Sequence, residues 1–165
     1  MGITKLSRVL SVYHLFLGCE EVSFQEFTLN FGVSHRTALR DIRLLRQAGV
    51  LKARWDRMRK AFVPVTLEPF PMEEQENQTR QKYLAKLRRL CLLMRRMSEE
   101  DGEDGMNKTE LYREILPGIP DRTRQRDFKE LKALGYDVWY EPGYADEPGR
   151  WHYDVPSTYG LKTIP

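Results

Sequence analysis

The sequence predicts a mainly α fold with small β-hairpins, an α+β chain in which one supersecondary unit is used twice. Two observations carry this. Gly32 to Gly49 and Gly118 to Gly135 align without a gap at a constant offset of 86. Gly, Arg, Thr, Arg, Asp, Leu and Gly coincide at seven of the 18 positions, and Val33/Ile119 and Ile42/Phe128 coincide in type. A match of that length marks a repeated unit. In addition, each copy is followed by two short alternating stretches around turn residues, the pattern of a hairpin.

Ile3 to Leu17 places Leu6, Val9, Leu10, Tyr13 and Leu17 at helical spacing, and Gly18 ends the run. Ser23 is a good N-cap for a short helix through Phe27 and Leu29 to Gly32. Ser34 caps a third helix to about Ala48, closed by Gly49. Val50 to Trp55 and Lys60 to Val65 read as strands around the polar turn Asp56 to Arg59. Three helices followed by a hairpin is the order of a winged helix. Glu68 to Asn77 is acidic, holds Pro69 and Pro71, and reads as a linker.

A helix from about Arg80 to Met97 follows, apolar at Tyr83, Leu84, Leu87, Leu90, Cys91, Met94 and Met97. Its Arg88, Arg89, Arg95 and Arg96 read as a solvated face. Ser98 to Gly105 is an acidic loop, and Asn107 caps a short helix to Leu116. Pro120 sits in the first turn of the next helix, which runs to Leu134. Tyr136 to Glu141 and Arg150 to Val155 form the second hairpin. The organisation expected is therefore tandem winged helix-turn-helix domains: 1–67, an acidic linker 68–79, a second domain 80–156, and a tail 157–165.

The net charge of +3 is uninformative alone, but its distribution is not. Residues 1–66 carry 11 Lys/Arg against 5 Asp/Glu, a net +6, while 67–107 carry −2 and 108–165 carry −1. The first unit is basic and the second is not, so the copies need not share one task. Cys19 and Cys91 read as reduced thiols, which points to the cytoplasm. No apolar run is long enough for a bilayer, and the N-terminus lacks the layout of a secretion signal. An enzyme is not expected. His14, His35 and His152 follow no ligand spacing, and no phosphate loop, nucleophile elbow or paired carboxylates occur, so neither metal nor cofactor is predicted.

The repeated helix carries the chemistry. In the first copy Val33, Ile42 and Leu45 fall on one face, with Ala38 at its edge; His35, Arg36, Leu39, Arg40 and Arg43 fall on the other. A helix held by its apolar side can enter the major groove of duplex DNA with its opposite side. His35, Arg36, Leu39 and Arg40, near its start, are the candidates for base edges, since a guanidinium fork matches guanine O6 and N7. The helix start with Ser34 and Thr37 suits a phosphate. Arg54, Arg57, Arg59 and Lys60 place cations in the hairpin, where a wing would meet the backbone. Asp41 is expected to pair with an arginine one turn away, which would make Arg36 or Arg40 partly structural.

These residues resemble a known signature. Val33-Ser34-x-Arg36-Thr37-x-x-Arg40-Asp41-Ile42-x-x-Leu45, ending in Gly49-Val50, looks like the recognition helix of the DeoR-type winged helix, which also heads many bacterial WYL-domain transcriptional regulators. Asp121 to Tyr136 resembles the WYL-associated version more closely still. The resemblance spans roughly 4–66 and 80–155. It implies a bacterial, nucleoid-associated DNA-binding regulator with Arg36, Thr37, Arg40, Arg122, Thr123 and Arg126 facing DNA, and Gln125 beside them. The family's sensor domain has no counterpart, and Arg124 stands where Ala38 stands in the first copy, a position usually apolar.

Duplex DNA is the expected partner, and a homodimer on a palindromic site is the expected assembly, with helix 80–97 as its interface. A protein-binding scaffold of the chromosome-segregation or polymerase-associated kind is the alternative; Trp139, Trp151 and Tyr153 would supply its contact or else pack the local core. A plasmid-type replication initiator is a third reading.

Overall fold

The computed structural model describes residues 4–99, 117–147 and 150–156. It is an α+β structure, with five helices and two small antiparallel sheets among the described residues. The short helix expected at 108–116, its cap Asn107 and most of the acidic loop lie outside them.

Helix α1 (Lys5–Gly18) starts at Thr4, whose hydroxyl accepts from the Ser7 amide. Its residues Val9 to Phe16 are buried without interruption. A helix buried all round must be covered on more than one side. Here α3 (His35–Gln47) packs on one side and α4 (Gln78–Glu99) on another. Polar Ser11 survives inside by donating to the Ser7 carbonyl at 2.7 Å.

Strand β1 (Val22–Ser23) precedes α2 (Phe24–Phe31), which Ser23 caps by accepting from the Glu26 amide. Gly32 takes the left-handed conformation, φ +61°, that turns the chain from α2 into α3. Ser34 caps α3 through the Thr37 amide at 3.2 Å. Strands β2 (Lys52–Asp56) and β3 (Ala61–Thr66) form the hairpin. Sequence reading missed β1, which pairs with β3 through Val22–Phe62 and Ser23–Ala61 and makes the sheet three-stranded, in order β1-β3-β2.

The stretch after β3 is not a loose spacer. The Phe70 amide donates to the Gly49 carbonyl, the Glu73 amide donates to the Gln47 carbonyl, and Leu67 and Met72 pack against the core. Asn77 then accepts from the Arg80 amide and starts α4. Three of the four arginines expected on a solvated face of α4 are fasteners instead. Arg88 donates to the carbonyls of Ala48, Gly49 and Phe70; Arg89 grips Asp127; Arg95 pairs with Glu68 and Glu99. The buried Asp127 carboxylate in particular needs such a donor, because a buried charge left unpaired is costly.

Helix α5 (Asp121–Leu134) begins after Pro120 and ends at Gly135, φ +108°. It leads into β4 (Asp137–Glu141), which pairs with β5 (Arg150–Asp154). Leu84, Leu87, Leu90, Leu93, Met94 and Met97 of α4 are all at most 1% exposed and belong to one cluster with α1, α3 and α5. That apolar face is consumed inside the chain, so it is not an interface for a second copy. Between the two halves, His14 Nδ1 lies 2.5 Å from the Tyr136 hydroxyl, and the rings meet edge to face. Burial pushes the Tyr136 phenol up from its ordinary value.

Candidate nucleic-acid interface

The rotation of α3 about its axis decides what it can offer. Ala38, Ile42, Leu44 and Leu45 point inward and are buried. Asp41 points the same way and is the one buried acid of the helix. Its partner is not a neighbour on its own helix. Arg8 of α1, 33 residues earlier, donates Nε to Oδ2 at 2.7 Å and Nη2 to Oδ1 at 2.9 Å. This bidentate bond raises the Arg8 guanidinium further, against the opposing effect of burial. Arg36 and Arg40 are thereby released from the structural role expected of them.

The opposite face carries Arg36, Leu39, Arg40, Arg43 and Arg46, all exposed. Among the described residues none of these arginines makes an ion pair. Leu39 is 44% exposed, so it is not part of the core. His35 differs from its neighbours. Though exposed, its ring lies 5.0 Å from Phe24 and 5.2 Å from Trp55, with Phe62 edge-on at 6.1 Å. It ties the start of α3 to α2 and the hairpin. Ser34 is exposed and Thr37 half-buried, both engaged in the cap.

Beside this face lies a cleft of about 510 Å³ between α1, α3 and the start of α4. Lys5, Arg8, Arg40, Arg43 and Arg80 line it against the single acid Asp41. Gln47 holds Arg80 at the rim, accepting from Nη2 at 2.8 Å. Lys5, Arg8, Arg46 and Arg80 were not among the predicted site residues. Arg46 continues the spacing of Arg40 and Arg43 and was discoverable; the other three arrive from helices whose packing no local pattern reveals.

The hairpin places Arg54, Arg57, Arg59 and Lys60 on the surface. Asp56 organises the tip by accepting from the Met58 and Arg59 amides at 2.9 and 3.1 Å. The Arg59 amide is the main cause that holds the Asp56 carboxyl below its ordinary range. Lys60 completes the turn at φ +53°. Two of the four cations are partly occupied, Arg54 by Asp56 at 3.6 Å and Arg59 by Glu21 at 3.2 Å. Such exposed pairs are worth little and exchange readily for another anion. Arg57 and Lys60 form no ion pair among the described residues.

In the second copy Arg122, Gln125 and Arg126 are exposed and Thr123 is half-buried. Asp127 is buried and held by Arg89 at 2.8 and 3.2 Å. Arg124 lies over the helix with its side chain 17% exposed and pairs with Asp121. Its guanidinium is thus turned to the protein rather than outward. Trp139 is 43% exposed, while the side chains of Trp151 and Tyr153 fall outside the described part. Among the described residues no helix is long and apolar enough to cross a membrane.

Compared with protein-family models, with curated proteins and with solved structures, the chain matches none. The likeness to DeoR-type regulators therefore rests on the motif residues alone.

Proposed function

We propose that this chain is a sequence-specific DNA-binding transcriptional regulator built from tandem winged helix-turn-helix units. In the first unit, α3 enters the major groove and the β2–β3 hairpin lies on the backbone. One observation carries the reading: α3 turns its carboxylate inward onto Arg8 and leaves Arg36, Arg40 and Arg43 outward, without ion-pair partners among the described residues. A surface built for solubility would intersperse both signs. Here Leu39 sits among the arginines, an apolar group suited to a thymine methyl. The cationic cleft at the flank suits the phosphates bordering the groove, and Arg57 and Lys60 suit those under the wing.

The test is binding of the full chain to a random duplex pool, followed by anisotropy titrations on the selected site. Arg36→Ala and Arg40→Ala should each weaken binding to that site by about tenfold or more, the loss of one bidentate base contact of about 1–3 kcal/mol. Arg57→Ala should weaken all sequences alike and make the salt slope about one unit shallower. Variants of α3 that bind as well as wild type, or absence of any duplex binding at low salt, would reject the reading. A protein-binding scaffold is the second reading, favoured by the exposure of Trp139 and Tyr144 on the second hairpin.

A further inference from the structure

The second copy repeats more than a sequence. Each buried aspartate records how its helix is rotated on the helix beneath it. Asp41 is gripped in a bidentate bond by Arg8 of α1, and Asp127 in the same way by Arg89 of α4. Both aspartate side chains are 1% exposed. Two helices whose equivalent residue is pinned inward in the same manner must turn equivalent residues outward. They do so. Arg36, Arg40 and Arg43 of α3 are exposed, and so are Arg122, Arg126 and Lys129 at the matching positions of α5. Arg46 and Lys132 extend both rows by one more turn, again exposed. The second row persists although its unit has no net positive charge, so overall basicity does not explain it.

The units share one apolar cluster running through α1, α3, α4 and α5, so both rows are carried on one packed body. The residue set among the cations also differs. Leu39 of α3 is matched by Gln125 of α5, both exposed. Leucine suits a thymine methyl, whereas a glutamine amide suits adenine N6 and N7. The described tip of the second hairpin holds Asp146 and Glu147 and no lysine or arginine, whereas the first tip holds Arg57, Arg59 and Lys60.

Resting on the DNA-binding reading above, we infer that one chain reads a bipartite duplex site. The two half-sites are unlike in sequence. α3 reads one with the help of its wing, and α5 reads the other by helix alone. A single copy is then the complete reader, and no palindrome is needed.

The experiment is selection from a random duplex pool with the wild-type chain, with Arg36→Ala/Arg40→Ala and with Arg122→Ala/Arg126→Ala. All four residues are exposed, and matching thermal melts serve as the folding control. The wild type should yield two unlike sequence blocks at a fixed spacing, bound at one chain per duplex. The α5 double variant should lose one block only and weaken binding to the full site by about tenfold or more. Gln125→Leu should change base preference in that same block alone. If the α3 variant loses binding while the α5 variant keeps the full motif and the affinity, the bipartite inference falls and the DNA-binding reading stands. A single block from the wild type, or two copies on a palindrome, also overturns the inference. If neither double variant alters binding, both readings fall.

Discussion

The Arg8–Asp41 pair allows a prediction with a built-in asymmetry. Asp41 is 1% exposed and Arg8 is 21% exposed. Replacing Arg8 with methionine keeps the aliphatic stem but strands a carboxylate in the interior. Breaking a buried pair in that way costs about 3–5 kcal/mol. Replacing Asp41 with asparagine leaves a guanidinium that still reaches water and still finds one carbonyl acceptor. That change forfeits a charged hydrogen bond, about 1.5–3 kcal/mol. The double variant Arg8→Met/Asp41→Leu removes both charges and should be more stable than Arg8→Met alone. Urea unfolding midpoints at unchanged m-value measure all three. The order should repeat for Arg89→Met and Asp127→Asn, because that pair has nearly the same exposures, 17% and 1%. Duplex affinity should also drop in Arg8→Met, since the freed carboxylate borders the same cleft as Arg40 and Arg43. An Arg8→Met chain no less stable than Asp41→Asn would refute the reasoning.

Three further outcomes are expected. Gly49 sits at φ +75° with the Phe70 carbonyl and the Arg88 guanidinium where a Cβ would go, whereas Gly32 at φ +61° has open space around it; Gly49→Ala should therefore cost at least about 2 kcal/mol more than Gly32→Ala in the same denaturation assay, overpacking being added to backbone strain. Tyr13 is fully buried and its hydroxyl finds no hydrogen-bond partner among the described residues, so Tyr13→Phe should leave the melting temperature unchanged or raise it. Burial lifts the phenols of Tyr13 and Tyr136 above the ordinary 10.0. The folded state then holds protons that the unfolded chain releases, so their contribution is complete below that value and is lost as pH rises beyond it; melting temperatures taken from about pH 9 upward should fall, and more gently in Tyr136→Phe.

The sequence made the local structure legible and the long-range structure opaque, for physical reasons. Ser23 and Ser34 announce the starts of α2 and α3 because a cap acts on amides two or three residues away. The outward face of α3 follows from helical spacing alone. Strand β1 was invisible because two residues carry no period, and only the arrival of β3 makes them a strand. The acidic stretch after β3 looked free because its Pro and Glu content says nothing of the carbonyl that Arg88 seeks. The partners of the two aspartates were hidden for a sharper reason. They lie 33 and 38 residues upstream, so the connection differs by five residues and breaks the constant offset that exposed the repeat. A pairing set by tertiary contact survives that slippage; a gap-free alignment does not.

The single interior running beneath both repeats also governs how such a molecule can be taken apart. Cleavage in the 68–79 stretch would leave one fragment with the greasy flank of α1 in water and the other with Leu84, Leu87 and Leu90 in the same plight. Neither fragment alone would keep its apolar surface covered. Separating the two repeats would therefore expose both sides of the one core they share.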